Sequence, residues 1–173
     1  PISELSGGYS AIDHDRGLVN TMLTAHGITD AQKIDSPVSM SQFYDQNGYG
    51  SEIRYQLTQN ITVQSDNVAT VTDIAAALPS LAAQGAVVSV QSLEYYISAL
   101  PDVRVKLLTS AVTDAKARAE KIAAGTGRGI GDVRTASSGV VQVLAPNSID
   151  ITDSGAYDTS SIEKEVMVTV KAS

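Results

Sequence analysis

Apolar and polar residues fall along this chain with two distinct periods. Leu5, Tyr9, Ile12, Val19, Met22 and Leu23 recur at helical spacing and predict a helix over residues 3 to 26. Gly7, Gly8 and Gly17 weaken it, and Gly27 after His26 supplies its stop. Residues 33 to 44 carry Ile34, Val38, Met40 and the pair Phe43-Tyr44, then meet Asp45-Gln46-Asn47-Gly48-Tyr49-Gly50, a run suited to a hairpin loop. Beyond it Ile53, Tyr55, Leu57, Ile61 and Val63 alternate with polar residues, which predicts a strand with one buried and one wet face. Ser65 or Asp66 is placed to cap a following helix whose stripe is Val68, Val71, Ile74, Ala75, Leu78 and Ala82, kinked at Pro79 and ended by Gly85. Residues 86 to 98, with Val88, Val90 and Tyr96, read as a third strand.

Pro101 and Asp102 open the strongest helix, since proline is tolerated in a first turn and an acid complements the positive end of the dipole. Leu107, Leu108, Ala111, Val112, Ala115, Ala119, Ile122 and Ala123 keep one face, which predicts close packing on a sheet. Asp114 with Arg118 and Lys116 with Glu120 sit at i,i+4 spacing on the opposite face. Gly125, Gly127, Gly129 and Gly131 end the helix, and strands follow over 130 to 137 and 140 to 144. Residues 145 to 161 lack periodicity, and a loop of that length in a compact domain is functional or mobile. Ile162, Lys164, Val166, Val168 and Val170 then share one phase of a half-buried terminal strand. The order α-β-β-α-β-α-β-β-β makes the fold α+β, a mostly antiparallel sheet with helices packed on one face. No fixed-period repeat is visible by eye.

Composition narrows the chemistry. At 173 residues and 43% hydrophobic the chain suits one globular domain, able to bury about 70% of the surface its unfolded form exposes. The absence of Cys excludes disulfides, thiolate metal sites and cysteine nucleophiles. A net charge of −7 disfavours nucleic acid and anionic membrane surfaces. The longest uncharged apolar stretch, Ile74 to Val90, is broken by Pro79, Ser80, Gln84, Gly85 and Ser89 and is too interrupted to insert in a bilayer. The Pro1-Ile2-Ser3 start shows no targeting segment, which has been removed or was never present.

Each chemical motif has a structural reading beside it. Asp13-His14-Asp15 and His26 are the only histidine neighbourhoods, and no Gly-x-Ser-x-Gly elbow accompanies them, so a solvated helix face is favoured over a hydrolytic triad. His14 and its acidic neighbours point to different sides of a helix and lack zinc-ligand spacing. The glycine run from Gly125 to Gly131 follows a helix instead of preceding one, so a C-cap explains it better than a phosphate cradle. Asp150, Asp153 and Asp158 lack the ligand spacing of a calcium loop. Tyr157 suits an interface aromatic or a residue packing the loop on its own domain. Tyr95 and Tyr96 should point to opposite faces, one to the core and one to the surface or an oligomer contact. Asn60-Ile61-Thr62 matches a glycosylation sequon by chance, in mid-strand. No catalytic, cofactor-binding or metal residue is assigned.

The stretch from Leu107 to Gly127, LLTSAVTDAKARAEKIAAGTG, resembles the signature helix of the SIMPL-domain family, in which alanines spaced by four run into a small-residue turn and a Gly-x-Val step. Gly131-Asp132-Val133 matches that step, and Val90 to Ser98, the Ile53 to Val63 strand with its helix, and the terminal valines follow the family's order. The resemblance covers roughly residues 18 to 171. It implies a single SIMPL-like domain over 1–173, lacking the strand with which family members usually begin and any export or anchor segment. It further implies a non-enzymatic bacterial cell-envelope protein, periplasmic or anchored, with no cofactor and no agreed catalytic residues. Some relatives are linked to stress tolerance and some form homo-oligomers. The leading expectation is therefore self-association or binding to an unidentified protein partner. A second is small-molecule binding with the loop from Ala145 to Ser161 as a lid, and the third is hydrolysis using His14 or His26.

Overall fold

A computed structural model describes residues 5–46, 51–149 and 151–173. The chain divides into two compact units, Pro1–Ser92 and Leu93–Ser173. The architecture is α+β, with helices and short antiparallel strand pairs.

The first unit opens with α1 (Leu5–Ala25), whose buried side chains Val19, Met22 and Leu23 recur one helical turn apart. Gly27 stops it, as its position after the stripe predicts. With φ at 79° it turns the chain left-handed, so that the Gly27 N–H reaches Thr24 O (3.0 Å) and the Ile28 N–H reaches Leu23 O (3.0 Å). Ile28 is then buried in the same cluster as Leu23, and this apolar contact fixes the exit of the chain.

Two nested antiparallel ladders follow. The outer one joins β1 (Lys33–Asp35) to β4 (Ile61–Val63), and the inner one joins β2 (Ser39–Gln46) to β3 (Ser51–Thr58). The strand expected from Ile53 to Val63 is therefore split. Between the ladders Ser36, Pro37 and Val38 oppose only Gln59 and Asn60. Pro37 has no N–H to give a ladder, and the extra residue makes a bulge. Ser36 closes the break, its N–H bonding Asn60 O (2.8 Å) and its Oγ accepting from the Asn60 N–H (2.9 Å). The expected hairpin loop at Asn47-Gly48-Tyr49-Gly50 lies outside the described residues.

The helix α2 (Val68–Ala77) is capped by Asn67, whose side-chain oxygen accepts from the Thr70 N–H (3.3 Å), instead of by Ser65 or Asp66. Ser65 acts one step earlier, accepting from the Asn67 N–H. Pro79 does more than kink the helix: the regular turns end at Ala77 and a 3₁₀ helix, Leu78–Gln84, carries the chain on to Gly85. The core of the unit gathers Val19, Met22, Leu23, Ile28, Ile74, Leu81 and Ala86, with Ile61 and Val63 of the outer ladder packed against it. The strand expected over 86 to 98 does not form. The Val87 N–H bonds the Asp15 carboxylate (3.1 Å) and the Ile97 N–H bonds a tyrosine hydroxyl, so these donors are satisfied without a neighbouring strand.

The second unit contains α3 (Leu100–Gly125), β5 (Ala136–Ser138), β6 (Gln142–Leu144), β7 (Glu165–Met167) and β8 (Val170–Ala172). Here too an outer ladder, β5 with β8, encloses an inner one, β6 with β7. Gly139, Val140 and Val141 oppose Val168 and Thr169 across the break. The strands expected over 130 to 137 and 162 to 171 are thereby shortened or split, and among the described residues antiparallel pairing is spread over four two-stranded sheets instead of one. The expected phase survives from Lys164 onward, with Lys164, Val166, Val168 and Val170 all half-buried, but Ile162, expected to share it, is exposed.

Helix α3 packs on β8 with a half-buried stripe of Val103, Leu107, Leu108, Ala111 and Ala115. Its predicted face is only partly covered, for Val112, Ala119 and Ile122 are exposed. A three-residue strand supports about one and a half turns of a helix, and α3 has about seven.

Candidate functional site

The histidines are held apart from one another's chemistry. His14 is exposed on α1, while Asp13 pairs with Arg16 (2.9 Å) and Asp15 accepts from the Val87 N–H. The three residues thus diverge, as consecutive helical positions must. Nδ1 of His26 lies 2.9 Å from Met22 O, and because a carbonyl only accepts, that nitrogen carries the proton. This bond caps α1. The glycine run likewise serves a helix end: the Gly127 N–H bonds Ala124 O (3.0 Å) and the Arg128 N–H bonds Ala123 O (2.9 Å), the same device as at Gly27.

The richest polar constellation lies in the loop after β6. Asp150 lies outside the described residues and Asp153 is exposed, but Asp158 is enclosed by donors. Its carboxylate accepts from the Ser160 N–H (3.2 Å), Ser160 Oγ (2.7 Å), the Ser161 N–H (3.1 Å) and Ser161 Oγ. The two hydroxyls, Ser161 above all, hold the Asp158 carboxyl well below the usual carboxylate range. Lys164, with a side chain only 4% exposed, gives its ammonium to Asp158 O (2.5 Å), Ser161 O (2.8 Å) and Asp158 Oδ2 (3.3 Å). An ammonium with three oxygen partners has spent its three N–H groups on architecture. It gathers this turn much as a bound cation would. Among the described residues no group of three or more His, Asp or Glu side chains is placed to hold a metal.

The same loop is tied down at two further points. Buried Gln142 donates from Nε2 to Thr152 O (2.6 Å) and accepts at Oε1 from the Ala156 N–H (2.6 Å), so both ends of its amide are satisfied. The Val143 N–H bonds Ala156 O and its carbonyl accepts from the Asp158 N–H (both 2.8 Å), which lays residues 156 to 158 along the free edge of β6 in parallel. Tyr157 packs the loop on its own unit. Its hydroxyl accepts from the Ile97 N–H (2.9 Å) and its ring lies 5.9 Å from that of Tyr96. Of the adjacent tyrosines, Tyr95 is half-buried and Tyr96 exposed, and the Tyr96 hydroxyl donates to Glu94 (2.5 Å), which pushes its own ionisation upward. Asn60 of the sequon lies in the break between β3 and β4 and not in mid-strand, its Oδ1 taken by Gln91 (3.0 Å).

Sequence reasoning reads the loop's turn chemistry but misses its anchors. Asp158-x-Ser160-Ser161 is the signal that points to them, since an aspartate followed by serines two and three residues on is an Asx-type turn. Nothing local indicates that Lys164 is buried beneath it. No helix among the described residues is long and apolar enough to cross a membrane.

No curated protein matches the chain. Its sequence does match the SIMPL family, described as "Protein of unknown function (DUF541)", over residues 11–173, which takes in the alanine-rich helix, both interrupted ladders and the anchored loop. The chain belongs to the SIMPL family.

Proposed function

We propose that this SIMPL-family chain is a non-enzymatic protein of the bacterial cell envelope that acts by self-association or by binding another protein. One observation supports the reading above others: large apolar side chains stand exposed on regular secondary structure. Met40, Phe43, Tyr44 and Ile53 do so on the β2–β3 hairpin, and Val105, Val112 and Ile122 on α3. On the hairpin Met40, Tyr44 and Ile53 share one face, and adjacent exposed apolar residues of this kind mark surfaces that meet another surface. The placement in the envelope draws on the family resemblance, and cell fractionation tests it: recovery in the cytosolic fraction alone refutes it. Light scattering of the 18.1 kDa chain across a concentration series tests association. The expected result is a mass rising above the monomer, and a strict monomer at every concentration, with no partner recovered by cross-linking in envelope extracts, contradicts the reading.

A further inference from the structure

The two units solve the same problem differently. In each, an inner ladder leaves the outer edge of its first strand without a strand partner among the described residues. In the second unit the chain between β6 and β7 is long enough to fold back, and residues 156 to 158 take up the N–H and carbonyl of Val143. In the first unit only residues 47 to 50 separate β2 from β3, too few to return along an eight-residue strand. Among the described residues the β2 edge therefore has no second strand partner, and its residues 39 to 44 are all exposed.

We infer that this edge is closed by a second copy of the same chain, β2 pairing antiparallel with β2 about a two-fold axis at Gln42. The inference rests on the proposal of self-association and gives it a place and a register. Such an edge is a template for pairing unless charge or proline blunts it. Residues 39 to 46, SMSQFYDQ, contain no lysine, arginine or proline and a single acid. Pairing about Gln42 brings Met40 opposite Tyr44 of the second copy, twice over, and sets Asp45 opposite Ser39, so no like charges meet in a chain of net charge −7.

This register also keeps the faces in phase. Met40, Tyr44, Ile53, Tyr55 and Leu57 share one face of the hairpin, because Met40 lies across from Leu57, Gln42 from Tyr55 and Tyr44 from Ile53. A perpendicular two-fold axis continues that apolar face across four strands. Tyr44, 66% exposed in the single chain, gains a neighbour in Met40 of the other. A slip of one residue would set Met40 against Asp45, turn the second copy's apolar face to the other side and forfeit the match.

The chain has no cysteine, so single thiols report the register directly. Gln42→Cys places two thiols opposite each other at the axis, and Lys116→Cys, exposed on α3, is the control. Under copper phenanthroline, Gln42→Cys is expected to form a disulfide dimer about 10-fold faster than the control, because pairing raises the effective thiol concentration. A mixture of Met40→Cys and Tyr44→Cys chains should cross-link with each other and not with themselves. If neither experiment exceeds the control while light scattering shows the unmodified chain to associate, the edge inference falls and self-association stands. If the unmodified chain is also monomeric throughout, both fall. Should Gln42→Cys lose its native circular dichroism, the Met40 and Tyr44 mixture decides alone.

Discussion

The inner ladders of the two units share a plan and differ in what covers them. In β6, Gln142, Val143 and Leu144 are all buried, and Val143 is 1% exposed. In β2, the residues at the corresponding distance from the break, Ser39, Met40 and Ser41, are exposed. The break itself is the same in both, three residues facing two. What differs is the length of the connection beyond it. A long return with its own anchors converts one strand into core, and a short one leaves the other as surface. Edge protection here is thus a property of the loop and not of the strand.

That contrast is broken most severely from the buried side. Leu144→Ala should cost about 3 kcal/mol in urea denaturation, through lost burial and a cavity. Met40→Ala, on the open edge, should change the stability of the single chain by less than about 0.5 kcal/mol. Equal losses would show that β2 is as enclosed as β6.

The anchor comes next. Lys164→Met removes a cation with three hydrogen bonds and should lower Tm by about 8 °C. The aspartate it touches adds a dependence on pH. A carboxyl whose folded-state pKa is depressed stabilises the fold fully above its unfolded value, near about 4, and that stabilisation is withdrawn as pH falls toward the folded value. The Tm of the unmodified chain should therefore fall more steeply below about pH 4 than that of Asp158→Asn, which has no such carboxyl to protonate. Parallel curves would mean that Asp158 gains nothing from Ser160 and Ser161.

Smaller effects sharpen the picture of α3 and of the helix ends. Ala115→Lys, on the half-buried stripe, should cost about 1.5 kcal/mol, and Ala119→Lys, exposed one turn on, less than about 0.5 kcal/mol. The sequence alone makes the two equivalent, so this pair tests where the cover of the helix ends. Gly27→Ala meets no atom within 4 Å and so isolates backbone strain at φ 79°, expected at about 1 kcal/mol.

Features whose pattern is local are legible in the sequence itself. The stop at Gly27, the ion pairs Asp114–Arg118 and Lys116–Glu120, the glycine cap of α3 and the phase of the terminal valines stand in the fold as their spacing predicts, as does the α1 stripe at Val19, Met22 and Leu23, though Leu5 and Tyr9 at its start are exposed. Each depends on neighbours within four or five residues. The ladder breaks are not legible, since three residues oppose two only once distant strands pair, and Pro37 alone hints at one of them. For the same reason the shared plan of the two units escapes a search for repeats: SMSQFYDQ and QVL occupy corresponding strands with no residue pattern in common. The clamp of Asp158 by Lys164 is half legible, its turn local and its burial not. Residues 86 to 98 show the opposite error, in which alternating apolar residues form no strand: the Val87 and Ile97 N–H groups bond side chains and the Tyr95 N–H bonds Thr159 O.

Amide hydrogen exchange on the whole chain, followed at low and high protein concentration, tests most directly whether β2 is an open edge awaiting another copy. Outward-facing amides of residues 39 to 46 should exchange rapidly in dilute solution and slow with rising concentration, while Val143 stays protected in both. Amides of β2 that exchange at one rate regardless of concentration, or that are as slow as Val143 in the dilute chain, would contradict the account.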